Sequence, residues 1–284
     1  MSVVVSEEEL NDDLAQAFEA AAGRPIMLHS NILRVGILEP VRPRDEMCAA
    51  YLDVISSGVG MSPLLVPTFN YDFCREGVYD IRNSPGQVGV LSDHCRRFHP
   101  ERRTRTPVFN FCIFGDNSFT LRECRNPFAG DSTFGALRDQ DGFVAMLGVG
   151  IESATFLHHV EEVADIGYRY IKVFAGRIVD DTGETKFAID YRVRPLKAGA
   201  SIYDWPRITD DLMRAGILRS YKAGRGTVQL FRAREYIEFV LRRMRDDEFY
   251  LLREDSAEVA AELYEIYGRP LTWNALEAAS TPHA

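Results

Sequence analysis

Three short apolar runs limit what this chain can fold into: Pro25-Ile26-Met27-Leu28, Leu64-Leu65-Val66 and the stretch 142–148. Each run ends in polar residues or glycine, and each lies close to a segment of helical pattern. A short run without polar interruptions reads as a strand covered on both faces, and covering both faces takes helices on both sides. Ser6-Glu7-Glu8-Glu9 fits a capping box, with Leu10, Leu14, Phe18 and Ala21 following at helical spacing as far as Gly23. Further helices are expected over about 45–57, 89–98 and 154–166, a strand over 108–114, and an ordered loop over 70–88. From residue 168 the pattern changes. Alternation through 168–195, around an Asp180-Asp181-Thr182-Gly183 turn, predicts an antiparallel hairpin. A helix (about 207–215), a strand (about 227–231) and two helices (about 233–245 and 256–267) follow, and the small polar tail after Asn274 is expected to fray. The sequence therefore predicts an α/β fold: one layered α/β/α-type domain with a mixed sheet spanning 1–284. Its core covers about 24–167, and a smaller C-terminal antiparallel hairpin and helical region covers about 168–270.

Charge narrows the classes of ligand. The chain has 33 Lys+Arg against 42 Asp+Glu, a net charge of −9. That argues against a nucleic-acid partner and is compatible with a cationic or amine-bearing small molecule. The five cysteines form no C-x-x-C pair, which suits free thiols in a reducing compartment. The start, MSVVVSEEELNDD, has no basic n-region or long apolar core, and no run approaches the ~18 apolar residues of a membrane span. A cytoplasmic protein without a membrane partner is expected; the oligomeric state is not specified by these features.

The densest constellation lies at 147–162, where an apolar run passes through Gly148 and Gly150 into a helical pattern. Backbone N–H groups at such a junction favour an anion or oxyanion. On a helix, Glu161 and Glu162 both lie near the His158 face, and a carboxylate beside an imidazole fixes its tautomer and stabilises the imidazolium. The same spacing also fits a surface ion pair. His29-Ser30 and Pro67-Thr68-Phe69 stand at predicted strand ends, where ligands of open α/β sheets collect and where polar residues also simply end strands. Arg102-Arg103-Thr104-Arg105-Thr106 suits a phosphate or a solvated loop, and Asp131-Ser132 suits a helix cap or a ligand hydroxyl contact. G-x-S-x-G, G-x-G-x-x-G and H-E-x-x-H are absent, which disfavours a serine hydrolase, a dinucleotide fold and a zinc protease. A metal site joining His158 and Glu161 to His94 or His99 has little support, and no metal is expected.

Six ordered blocks resemble the aminoglycoside 3-N-acetyltransferase family, also called the antibiotic N-acetyltransferase family. They are Met27–Gly36, Leu65–Tyr71, Tyr79–Leu91, Arg103–Pro107, Pro127–Gly135, and Leu147–Val149 with Thr155, His158 and Glu161. The resemblance runs over about 25–245 and thins after Gly167. It implies an acyltransferase using acetyl-CoA or another acyl-CoA as co-substrate, with no metal, and a small-molecule amine as acceptor. It implies His158 as general base and Glu161 as its partner or an acceptor contact. It places His29, Ser30, Phe69, Arg103, Thr104 and Ser132 around the coenzyme, with Thr104 or Ser132 as possible oxyanion donors. Tyr71, Asp72, Asp80 and Glu162 are the expected acceptor contacts. Ala154, Thr106 and Asn31 depart from the family pattern, which usually has Asn, His and Ser there. An amino sugar or related amine is the expected acceptor class. The alternatives are an antibiotic-resistance acetyltransferase and a non-catalytic CoA- or ligand-binding relative.

Overall fold

Successive residues of each apolar run turn to opposite faces of one sheet in the computed structural model, which describes residues 4–116, 119 and 124–278. In the strand Phe143–Leu147, Val144 and Met146 enter one core while Phe143, Ala145 and Leu147 enter another. Met27 and Leu65 join the first core; Ile26, Leu28, Leu64 and Val66 join the second. The sheet has six strands in the order Arg219–Ala223, Gly226–Arg232, Phe143–Leu147, Ile26–Ser30, Leu64–Pro67, Phe111–Phe114. The three strands Phe143–Leu147, Ile26–Ser30 and Leu64–Pro67 run parallel, and the flanking pairings are antiparallel.

Helices cover both faces, giving the expected α/β/α layering. Glu7–Phe18, Arg44–Val59 and Val90–Phe98 bury Leu10, Tyr51 and Leu91 against one face. Thr133–Asp139, Leu157–Val163, Trp205–Arg214 and Ala233–Asp246 bury Phe134, Val160, Ile208 and Tyr236 against the other. The Ser6 hydroxyl caps the first helix by accepting from Glu9 N–H at 3.0 Å. The return half of the capping box is replaced by a bond from Lys222 Nζ to the Glu9 carboxylate at 2.8 Å.

Several local expectations change. The stretch 70–88 contains a short helix, Phe73–Glu76, and a strand, Val78–Asp80, which pairs in parallel with Tyr170–Asp180 of the hairpin. That hairpin, Tyr170–Asp180 with Gly183–Val193, has the expected antiparallel register and turn. The helix expected over 154–166 is confined to Leu157–Val163, after a 3-10 turn at Ile151–Ser153. Trp273–Ala278 is helical, and Trp273 stacks on Tyr170 at 5.5 Å; residues beyond 278 lie outside the described residues. The C-terminal part also reaches into the core, because Gly226–Arg232 pairs directly with Phe143–Leu147.

Candidate active site

Two of the strands around which this site forms are parallel neighbours, Ile26–Ser30 and Phe143–Leu147, so their carboxyl ends open on the same edge. A cavity of about 330 Å³ lies there, lined in part by His29, Ser30, Phe69, Tyr71, Glu152 and Thr155. Burial lowers the His29 pKa to about 4, so its ring is neutral. The His29 Nε2 is buried without a hydrogen-bond partner.

The expected anion site at the glycine turn is already occupied by the protein's own groups. Gly150 N–H donates to the Glu152 carboxylate at 3.3 Å, and Gly148 N–H to Thr227 C=O at 2.9 Å. Gly148 has φ +67°, and a Cβ there would stand 2.4 Å from Asn31 O, so glycine is required for the chain to turn into the following helix.

His158 projects from Leu157–Val163 with 30% of its side chain exposed, and its Nδ1 lies 2.8 Å from Glu161 Oε2. Glu161 is 1% exposed, and four groups surround its carboxylate. Tyr203 donates to Oε1 at 2.8 Å, Tyr168 donates to the same oxygen at 3.0 Å, and Arg169 Nε lies 3.2 Å from it. Burial alone would raise the Glu161 pKa. The Arg169 charge and the bonds from His158 and Tyr203 outweigh it and hold the carboxyl at about 2. An ionised carboxylate has no proton to give, so the proton in the contact belongs to His158 Nδ1. The Nε2 side of the ring is then left with its lone pair.

The neighbouring histidine serves a different purpose. His159 is fully buried; its Nδ1 lies 2.6 Å from Phe128 O and its Nε2 3.4 Å from an Arg138 nitrogen. Burial lowers its pKa to about 4 despite the carbonyl contact. It therefore pins the Phe128 segment, and the Phe128 ring rests against His158 at 5.3 Å. His158 does not line the cavity directly; Thr155, one turn earlier, does. A file of rings, Tyr71–Phe109 at 6.2 Å and Phe109–Phe128 at 4.6 Å, joins the cavity wall to the His158 face.

The candidate residues thus divide. His29, Ser30, Phe69 and Tyr71 come together at the cavity, and His158 and Glu161 form a pair beside it. Arg103 is a correction to the phosphate expectation. It is 5% exposed, and its guanidinium donates to Asn110 Oδ1 and to the carbonyls of Ile81, Ser84 and Thr68. With those donors committed to the protein, little of the guanidinium is left for a phosphate. Thr104 also turns inward: its Oγ1 accepts from Phe111 N–H and its carbonyl accepts from Tyr79. Ser132 is 1% exposed and caps Thr133–Asp139, accepting from Gly135 N–H at 3.2 Å. Neither lines the cavity.

The acidic acceptor candidates are likewise engaged. Asp72 accepts from Gln87 and Arg75, Asp80 closes a turn by accepting from the Arg82 and Asn83 N–H groups, and Glu162 pairs with Arg192 at 3.1 Å. Sequence reasoning missed Tyr168, Arg169 and Tyr203. The signal at hand was the aromatic and basic run Tyr168-Arg169-Tyr170 directly after the His158 helix. Among the described residues no group of three His, Cys, Asp or Glu side chains is arranged to hold a metal, and no helix is long and apolar enough to cross a membrane.

Comparison with known proteins adds to this geometry. A family model described as aminoglycoside 3-N-acetyltransferase matches residues 27–245. Aminoglycoside N(3)-acetyltransferase VII of Streptomyces paromomycinus is 29% identical over 164 residues, covering 53% of this chain. The match spans only 56% of that relative's own length. Among solved structures, the apoenzyme of aminoglycoside acetyltransferase AAC(3)-IVa aligns over 92% of this chain and 98% of its own, with a TM-score of 0.70 and 20% identity. AAC-IIIb in binary complex with CoASH aligns over 86% and 97%, with a TM-score of 0.69 and 21% identity. A variant of AAC(3)-IVa in complex with a gentamicin aligns over 91% and 95%, with a TM-score of 0.69 and 20% identity. At these identities the solved structures establish the shared fold.

Proposed function

The chain belongs to the aminoglycoside 3-N-acetyltransferase family, a family of acyltransferases, and from that premise we propose that it transfers an acyl group from acetyl-CoA or another acyl-CoA to an amine. The acceptor class is an amino sugar or related amine. The CoASH and gentamicin complexes of the structural neighbours support both halves of the reading. The observation that carries it is the 2.8 Å contact from His158 Nδ1 to a buried, ionised Glu161, which leaves Nε2 as the basic atom on a part-exposed ring.

An alkylammonium, with a pKa near 10, has no lone pair with which to attack. His158 Nε2 takes its proton, and Glu161 stabilises the imidazolium that results. The amine nitrogen then bonds to the thioester carbon, the carbonyl oxygen becomes an oxyanion, and collapse of the intermediate breaks the C–S bond. The proton held by His158 passes to the departing thiolate, and the freed Nε2 then takes the second proton from the acylated nitrogen and releases it to solvent, so no covalent acyl-enzyme is needed. His29, Ser30 and Phe69 form the wall of the thioester site, and Tyr71 lies on the acceptor side. The Ser30, Ser153 and Thr155 hydroxyls take the oxyanion role that sequence reasoning gave to Thr104 and Ser132, because they line the cavity. Such a donor typically contributes about 3 kcal/mol.

The test is thiol release from acetyl-CoA with a panel of aminoglycosides, simple amino sugars and nucleotide-linked amino sugars. Release should require an amine and fall by roughly 10²- to 10⁴-fold in His158→Ala. Wild-type turnover in that variant would remove His158 from the mechanism. Failure to bind CoA would overturn the donor.

A further inference from the structure

Tyr203 lies far from the His158 helix in sequence, on the segment before Trp205–Arg214, and an isolated bridge to Leu252 fixes its backbone. Its ring lies beside that of His158, with centroids 6.2 Å apart. The hydroxyl makes three contacts, which together account for all of its hydrogen-bonding capacity. It donates to Glu161 Oε1 at 2.8 Å, accepts from an Arg169 nitrogen at 2.6 Å, and lies 3.3 Å from His158 Nδ1.

A phenol has one proton and two lone pairs. The proton is committed to Glu161 and one lone pair to Arg169, so a lone pair is what faces His158. Glu161 Oε1 is served by Tyr203, Tyr168 and Arg169, and Oε2 remains for the imidazole. Nδ1 therefore meets oxygen lone pairs from both the carboxylate and the phenol. A neutral ring with its proton on Nε2 would set three lone pairs against one another at this point.

We propose that Tyr203 is a positioning residue that locks His158 as the Nδ1–H tautomer and reserves Nε2 as the proton acceptor. The reaction step it serves rests on the base assignment of the preceding subsection, whereas the tautomer itself can be observed without turnover. Tyr168 is the internal control: its hydroxyl donates to the same Glu161 oxygen and has no bond to His158.

The experiment is Tyr203→Phe beside Tyr168→Phe, read by 15N spectra of labelled histidine and by kinetics with acetyl-CoA and the best amine. Tyr203→Phe keeps the ring and its contacts with Trp205 and Arg169. It should lower kcat by about 10- to 100-fold at nearly constant KM, in the range seen when groups that orient a functional histidine are lost. Neutral His158 should then carry a measurable share of the Nε2–H tautomer, because Glu161 Oε2 alone is left to hold the proton on Nδ1. Tautomer mixing should be confined to Tyr203→Phe. The proposal is overturned if Tyr203→Phe keeps both the wild-type kcat and a pure Nδ1–H signal, or if the two variants behave alike. A wild-type spectrum with the neutral-state proton on Nε2 would overturn it without any variant. If His158→Ala retains turnover, the base assignment fails, and the tautomer spectra still report on Tyr203 itself.

Discussion

Arg103 stands in the block that looks most like a phosphate site, yet its environment is that of an internal strut. Asn110 Oδ1 and three backbone carbonyls receive its guanidinium, and the Tyr79 ring lies 5.0 Å from its central carbon. A lysine has the charge but lacks the planar fork needed to reach four acceptors at once. Arg103→Lys should therefore destabilise the fold by about 3 kcal/mol, since buried acceptors are left without donors. Urea unfolding measures the loss. An unchanged midpoint together with a raised KM for acetyl-CoA would instead return Arg103 to the coenzyme. Glu161 shows the same economy with opposite sign. A carboxylate that is 1% exposed stays ionised because Arg169, His158 and Tyr203 surround it. With its pKa near 2 it supplies no acid limb to activity in the neutral range; a limb seen there belongs to another group.

At the scale of elements, the chain's capping chemistry was readable, whereas the coenzyme contacts expected of Thr104 and Ser132 were not separable from structural roles. Ser132 fitted both a cap and a ligand contact. In the structure it opens Thr133–Asp139 by accepting from Gly135 N–H. Ser132→Ala should lower stability by about 1 kcal/mol and leave the KM for acetyl-CoA unchanged. A KM raised several-fold at constant stability would reverse that assignment. The buried strands and amphipathic helices were legible because their period is local. The strand Arg219–Ala223 was not, since an edge strand exposed along most of its length carries few apolar residues to mark it. The short elements within 70–88 were hidden for a related reason: Val78–Asp80 takes its strand character from a partner about a hundred residues later. The His158–Glu161 spacing was likewise local, one helical turn. Its surroundings were not, because Tyr203 reaches Glu161 from 42 residues away and no periodicity links them.

The whole molecule holds its imidazoles in contrasting settings, and that sets how it should respond to acid. His29 lies near the end of a central strand and His159 on the buried face of the helix Leu157–Val163, and burial lowers both to about 4. His94, on the opposite face of the sheet, is also lowered by burial. Between pH 6.5 and 4 the unfolded chain protonates His29 and His159 while the folded chain does not. The unfolded state then binds more protons, so stability rises with pH across this window and is lost as pH falls. By pH 5 each of His29 and His159 costs about 2 kcal/mol, at roughly 1.4 kcal/mol per pH unit below the ordinary histidine value. Glu161 acts later: its stabilising contribution is complete above about pH 4.5 and disappears as pH falls toward 2. Urea midpoints should therefore be level above about pH 7 and decline from pH 6.5 downward, before the carboxylates titrate. His159→Asn places an amide N–H where Nδ1 meets the Phe128 carbonyl and has no ring to protonate, so it should flatten part of that slope. A midpoint that stays constant from pH 7.5 to 5 in the wild type would mean these rings accept protons without leaving the fold. The neutral, buried histidine pinning the Phe128 segment behind His158 would then be wrong.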